Sequence, residues 1–331
     1  MPDISLLLVV TLFLVLAAEF VNGWTDAPNA IATVVSTRVL KPSHAVLMAA
    51  VLNIVGAIVT GTAVASTIGK GIVSPEVIGL PVVAAAMLTI IVWSTVAWRW
   101  GIPTSESHEL VAGLTGAGLA AAGTSVLLWE GWQKVLIGLA FSTLLGFTIS
   151  IALMFILYWV LRRAHPAAVT KYFSKLQMIS AAFMAFTHGS NDGQKFMGVF
   201  ALVLMLEGFM SEFSVPIWIM VLCGAVMGIG TATGGWRIIH TMGFKLTRLE
   251  PVHGFAAETS AGISILLASA LGIPLSTTHT INISIMGVGA TKRFSAVRWG
   301  VAGNIIAAWI LTFPICGVLG YFFSWLLHLI V

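Results

Sequence analysis

Charge is scarce in this chain: only 8% of its 331 residues are Asp, Glu, Lys or Arg, against about 25% in a soluble globular domain. That deficit excludes an ordinary soluble fold, because a chain that is 58% hydrophobic could not cover the wet exterior that surface-to-volume scaling imposes. Cysteine is nearly absent too. Cys223 and Cys316 both sit in apolar stretches, which excludes a disulfide framework and any cysteine set with metal-ligand spacing. A net charge of +4, dispersed along the chain, is too weak to point to nucleic acid. Only Met1, Pro2 and Asp3 precede the first apolar run, so that run reads as a membrane span and not as a cleaved leader.

What the chain has in abundance is long apolar runs, at 4–21, 45–65, 82–97, 135–161, 217–234 and 301–331, with a mean hydropathy of +1.02. A helical span needs about 20 apolar residues to cross a bilayer core roughly 30 Å thick. Backbone groups in lipid must be satisfied internally, so runs of this length read as helices and not as barrel strands. The expected fold is an all-α polytopic membrane protein with about ten transmembrane segments, five in each half. In the first half these lie near 4–40 (broken at 22–29), 45–67, 82–100, 104–122 and 134–161. In the second they lie near 178–210 (broken at 188–195), 215–234, 254–272, 275–290 and 297–331. The short, Gly-rich segments 104–122 and 275–290 read as full spans or as half-helices.

Basic residues test the count. With the N-terminus outside, Lys70 and Lys134 fall in outer loops and Lys195 inside a motif; the rest of the 16 Lys and Arg fall in cytoplasmic loops. That is the asymmetry of the positive-inside rule. It predicts a multi-pass protein of the plasma (inner) membrane with both termini outside. An odd number of spans per half makes the halves inverted repeats, 1–161 and 178–331, joined by a basic cytoplasmic linker at 162–177.

The halves also share motifs. G-I-P-T-S-E-S-H at 101–108 returns as G-I-P-L-S-T-T-H at 272–279. More weakly, N-G-W-T-D-A-P-N at 22–29 matches H-G-S-N-D-G-Q-K at 188–195. The order is the same in both halves, with 77 residues from Asp26 to Pro103 and 82 from Asp192 to Pro274. Repeats interrupted by Gly and Pro at matching places are the best sequence pointer to a transporter's central site.

Each Pro-Ser-His motif reads as the start of a helix within the membrane, since proline suits the first turn and Ser or Thr caps it. Such an end offers free N–H groups and about half a positive charge, a site for an oxyanion. Ser105, Ser107, Ser276, Thr277 and Thr278 are the candidate donors, with Thr104 as an accessory. Packing by small polar residues is the plainer reading, and the repetition argues against it. Asp26 and Asp192 are costly in lipid and so mark function. With Asn29 and Asn191 they could hold a hard cation, Na+ at Asp26, Asn29 and Asp192, or relay protons. Lys195 stands where the first motif has Asn29, and an ammonium cannot ligate Na+; it pairs Asp192, touches the anion, or snorkels to the surface. Glu258, Glu106, Glu109, His108 and His279 are candidates for carrying coupling protons, and Glu19 is a weaker one.

The four motifs, G-x-x-D-A-P-N, H-G-S-N-D-G-Q-K and the two I-P-x-S-x-[S/T]-H, resemble those of the inorganic phosphate transporter (PiT) family, over nearly the whole chain. The resemblance implies an inverted-repeat fold, uptake of phosphate driven by Na+ or H+, and one site built jointly by the Asp and Ser/Thr motifs. It implies cation binding at Asp26, Asn29, Asn191 and Asp192, and phosphate binding at Ser105, Ser107, Ser276, Thr277 and Thr278. The family's common G-A-N-D is here G-W-T-D with Pro28 added, and Lys195 replaces a frequent Asn, which keeps H+ beside Na+ as the coupling ion.

The expected activity is therefore secondary active symport of phosphate by alternating access, with no enzymatic step and no cofactor. Its partners are phosphate, the coupling cation and the lipid bilayer; a homo-oligomer is compatible with it. Sulfate transport by the same fold is the alternative, and it lacks the P–OH proton that a carboxylate would accept. An intramembrane aspartyl hydrolase using Asp26 and Asp192 is a remote one, because it leaves the repeated Ser/Thr-His motifs without a role.

Overall fold

The computed structural model describes residues 4–74 and 78–330. Met1, Pro2, Asp3 and Val331, on which the expected sidedness of the termini bears, and the Lys70 side chain lie outside the described residues. The first half is α1 (Leu6–Ser36), α2 (Pro42–Val59), α3 (Ala63–Gly71), α4 (Leu80–Trp100), α5 (Glu106–Ala122) and α6 (Trp129–Leu161). The second is α7 (Pro166–Leu206), α8 (Ile217–Thr233), α9 (Trp236–His240), α10 (Pro251–Ala270), α11 (Thr277–Lys292) and α12 (Trp299–Ile330). Among the described residues the only β pairing is one isolated bridge, Val73 to Leu127.

The repeated Gly-Ile-Pro-x-Ser motif has the same local structure twice. Gly101 and Gly272 take left-handed φ values of 69° and 65°, the conformation that ends a helix and that glycine adopts without a Cβ clash. The N–H groups of Gly101 and Ile102 return to Trp98 and Ala97, and those of Gly272 and Ile273 to Ser269 and Ala268, closing both helix ends in the same way. Proline follows, and the serine hydroxyl then caps the next helix: Ser105 Oγ accepts from His108 N and Ser276 Oγ from His279 N. Each motif is thus a stop, a corner and a start within a few residues, and it launches the short helices α5 and α11.

Corresponding helix pairs pack in the two halves. α1 packs on α8 as α7 packs on α2, and α5 packs on α12 as α11 packs on α6. Glycines set the closest approaches. A Cβ on Gly23 would stand 2.2 Å from Met227 O of α8, and one on Gly189 would stand 2.1 Å from Asn53 O of α2.

The buried apolar residues form two separate clusters. α1 contributes Leu8, Val15 and Ala18 to one and Ala30 to Val35 to the other; α7 contributes Phe196 to Val203 to the first and Ala181, Met184 and Ala185 to the second. Between them, at mid-length of both helices, lies a polar layer carrying the two Asp motifs.

Several expectations are corrected here. The breaks expected at 22–29 and 188–195 do not occur, since α1 and α7 are continuous helices through both. Many of their polar side chains bond residues of other helices, as Thr25 does Glu106 and Asn191 does Ser269, while the backbone keeps its helical bonds. Even Pro28 is absorbed within α1, and Gly235 packs against its ring. The stretch read as a linker, 162–177, is a short turn at 162–165 followed by the start of α7, with Pro166 in the first helical turn. The expected span 45–67 divides into α2 and α3 at Gly61, whose φ is 85°. Among the described residues five helices, α1, α2, α4, α6 and α12, could cross a membrane by length and composition, and α8 with the segment Trp236–Lys245, bent by 60°, would make a sixth. Of the others, α5 and α11 are too short for a full span, at 17 and 16 residues, and α7 carries a buried polar motif at mid-length.

Candidate functional site

The starts of α5 and α11 meet the middles of α1 and α7 in the polar layer. On one side Thr278 Oγ1 donates to Asp26 Oδ1 at 2.9 Å. Asn29 Nδ2 lies 2.9 Å from Thr278 Oγ1 and 3.3 Å from Thr277 Oγ1. Glu106 completes this side: it accepts from Thr25 Oγ1 at 2.5 Å, and its carboxyl lies in hydrogen-bonding reach of Asp26. Two carboxylates this close repel, and a proton or a metal cation between them relieves the repulsion. Asn29 Oδ1 and Glu106 Oε2 have no hydrogen-bond partner among the described residues. Buried acceptors left over in this way are what a hard cation needs.

On the other side Thr277 Oγ1 donates to Asp192 Oδ2 at 2.7 Å. The Lys195 ammonium bonds Asp192 Oδ1, and it also donates to Ser107 Oγ at 2.5 Å and to Leu275 O at 3.1 Å. Ser107 Oγ donates in turn to Leu275 O at 2.9 Å. His188 Nε2 stands 3.2 Å from Asp192 Oδ2 without hydrogen-bond alignment, and its Nδ1 is 3.1 Å from Asn53 Oδ1. One ligand atom each from Asp26, His188 and Asp192 lie within 4.8 Å of one another, so the two sides adjoin. All of these side chains are buried.

Thus the expected residues Asp26, Asn29, Asp192, Ser107, Thr277, Thr278 and Lys195 converge. Lys195 does not snorkel: it is buried, pairs Asp192 and donates to Ser107 Oγ. Ser105 and Ser276 act as caps, with His108 N at 3.4 Å and His279 N at 3.1 Å. Asn191 turns aside; its Nδ2 donates to Ser269 Oγ and Ile273 O, the end of α10 and the corner before α11. Thr104 is buried near Glu109, which accepts from Ser94 Oγ. His108 and His279, at matched places in α5 and α11, meet edge to face with ring centroids 4.5 Å apart. His279 stacks on Trp309 at 3.7 Å, and Trp309 Nε1 donates to Pro103 O. Glu258 stands apart, accepting from Thr33, Gln177 and Ser180, and so ties α10 to α1 and α7.

Three residues had no role in the sequence reading: Thr25, His188 and Asn53. The signal for Asn53 was present, an amide alone in the apolar run of α2. Thr25 and His188 lie within the quoted motifs, and only their tertiary partners give them significance.

A family model described as the phosphate transporter family matches residues 22–320, from the first Asp motif into α12. A Rhizobium meliloti protein named "Probable low-affinity inorganic phosphate transporter" is 47% identical, covering 93% of this chain and 92% of its own. A Bacillus subtilis protein of the same name is 39% identical, covering 98% and 99%. Among solved structures, one named "The sodium-dependent phosphate transporter" matches with a TM-score of 0.89 at 25% identity, covering 99% of this chain and all of that one.

Proposed function

The chain belongs to the phosphate transporter family, a family of membrane transporters and not of enzymes, and from that membership we propose that it moves inorganic phosphate by cation-coupled symport. Phosphate is held where α5 and α11 begin, by the hydroxyls of Ser105, Ser107, Ser276, Thr277 and Thr278. The coupling cation, Na+ or H+, sits at Asp26 with Asn29 and Glu106. The halves act as inverted repeats that rock about this layer in alternating access. The observation that carries this reading is the meeting of both Ser-capped helix starts with the Asp motifs, α11 through Thr278 to Asp26 and Thr277 to Asp192, and α5 through Ser107 to Lys195. The opposite passage of α1 and α7 through the two apolar clusters supports the inverted arrangement.

Coupling has a physical motive. Each net charge moved against the membrane potential costs about 2.3 kcal/mol per 100 mV, so dianionic phosphate alone is strongly opposed. Bound cations offset that cost. Phosphate is favoured over sulfate by its P–OH group, for which a buried carboxylate such as Asp26 is a ready acceptor, and by the names of the relatives.

The test is uptake of labelled phosphate into proteoliposomes holding the pure protein, under an inward Na+ gradient or an inward H+ gradient, with excess unlabelled sulfate. Accumulation under one gradient, indifferent to sulfate, is the expected result and names the coupling ion. Accumulation under neither, or suppression by sulfate, overturns the proposal.

A further inference from the structure

Two contacts of the polar layer recur under exchange of the halves, while the Thr278–Asp26 bond does not, since Ser107 donates to Leu275 O and not to Asp192. Asn29 stands three residues after Asp26 and donates to Thr278; Lys195 stands three residues after Asp192 and donates to Ser107. Thr278 and Ser107 hold the same place, two residues past the capping serines Ser276 and Ser105. One residue past those caps, Glu106 faces Asp26 and Thr277 faces Asp192. These two contacts recur on both sides and the charges do not. The Asp26 side holds two carboxyls and an amide. The Asp192 side holds one carboxylate, a hydroxyl and an ammonium.

We propose that Lys195 is a tethered cation: its ammonium fills the second of two equivalent cation sites, so only the Asp26 side loads a cation from solution. The proposal rests on the symport reading above. An ammonium has three N–H donors, and all three find acceptors here, in Asp192 Oδ1, Ser107 Oγ and Leu275 O. A buried charge is tolerated when it is paired and hydrogen-bonded in this way, and Lys195 is only 1% exposed. A snorkelling lysine would instead reach for water. Because the ammonium is covalently held, it neutralises Asp192 throughout the cycle without crossing the membrane. It therefore contributes nothing to the charge that accompanies phosphate, and this chain moves one coupling cation fewer per phosphate than its own Lys195→Asn variant.

The experiment compares wild type and K195N in proteoliposomes, measuring labelled phosphate and the charge moved with it at a clamped potential. The variant gives the second motif the Asn of the first. The expected result is a charge-to-phosphate ratio higher by one elementary charge, with a steeper dependence on the coupling ion. An unchanged ratio overturns the proposal. If K195N is folded but does not transport, its melting temperature in detergent is followed against Na+ at constant ionic strength. Stabilisation by Na+ beyond that of wild type supports a site opened by removal of the ammonium, and its absence overturns the proposal. Failure of wild type itself to accumulate phosphate under either gradient is a different outcome, since it overturns the symport reading before the variant is considered.

Discussion

The middles of α1 and α7 offer one fold twice with different chemistry. Both helices pass from one apolar cluster to the other, both carry an aspartate at the boundary, and both aspartates accept from a threonine of α11. Yet Asp192 has an ammonium beside it and Asp26 has a second carboxyl. The backbone arrangement is duplicated, while the charge is free to diverge. Similar backbone placement thus carries two different charge patterns, and the side chain three residues after each aspartate, Asn29 or Lys195, makes much of the difference.

The largest test of this difference is the removal of each carboxylate. D192N leaves the Lys195 ammonium buried without its counter-charge, a defect that costs about 3–5 kcal/mol. D26N removes a carboxyl whose partners are a hydroxyl and Glu106, and costs about 1–2 kcal/mol. Unfolding in detergent should show a much lower melting temperature for D192N than for D26N, with D192N/K195M recovering most of the loss. Equal losses would mean that the ion pair does not distinguish the two sides.

Next come the two threonines. T277V removes the donor to Asp192 and the more distant acceptor of Asn29, and T278V removes the donor to Asp26 and the nearer acceptor of Asn29. A hydrogen bond to a charged group contributes about 1.5–3 kcal/mol, or roughly 10- to 150-fold in an equilibrium constant. On the proposal that only the Asp26 side loads from solution, T278V should raise the coupling-ion concentration for half-maximal uptake more than T277V does. A reversed order would move the loading site to Asp192.

Where the two halves are alike, matched changes should have matched effects. Gly23 and Gly189 face backbone carbonyls of α8 and α2 at nearly the same distance. An added methyl at either must push a helix away, an overpacking cost of about 1–3 kcal/mol. G23A and G189A should therefore lower the melting temperature by similar amounts, and a large difference would show that the exchange symmetry of the packing is superficial.

Much of this was legible because it is local. The Gly-Ile-Pro-x-Ser corners declare themselves, since a left-handed glycine, a proline and a capping serine each act within a few residues. The apolar helices were legible because lipid demands length. The continuity of α1 and α7 was not, because Asn22–Asn29 and His188–Lys195 are as polar as a loop and only their burial between two clusters explains why they stay helical. The first turns of α7 were hidden for the opposite reason: Lys171 and Lys175 stand on a helix that does not depend on an apolar run. Asn191 could not have been aimed from sequence, because Ser269 and Ile273 come beside it only after α10 and α11 have packed. The bond from Lys195 to Ser107 likewise joins residues 88 positions apart.

The smallest expected effect separates two duties of the capping serines. Ser105 and Ser276 each accept from a backbone N–H, so the cap uses the oxygen and leaves the O–H free to donate to an anion. The Ser276 cap is the shorter, 3.1 Å against 3.4 Å, and Ser276 N is also held by Ser142 Oγ at 3.3 Å. Alanine at a cap costs about 0.5–2 kcal/mol and glycine only a few tenths. S276A should therefore be less stable than S105A, and both glycine variants should melt close to wild type. Phosphate affinity in S105G and S276G then reads the O–H alone. A weaker half-saturation for phosphate at unchanged melting temperature assigns these hydroxyls to the anion. Unchanged affinity confines them to the helix ends and leaves the anion to Ser107, Thr277, Thr278 and the free N–H groups of the two first turns.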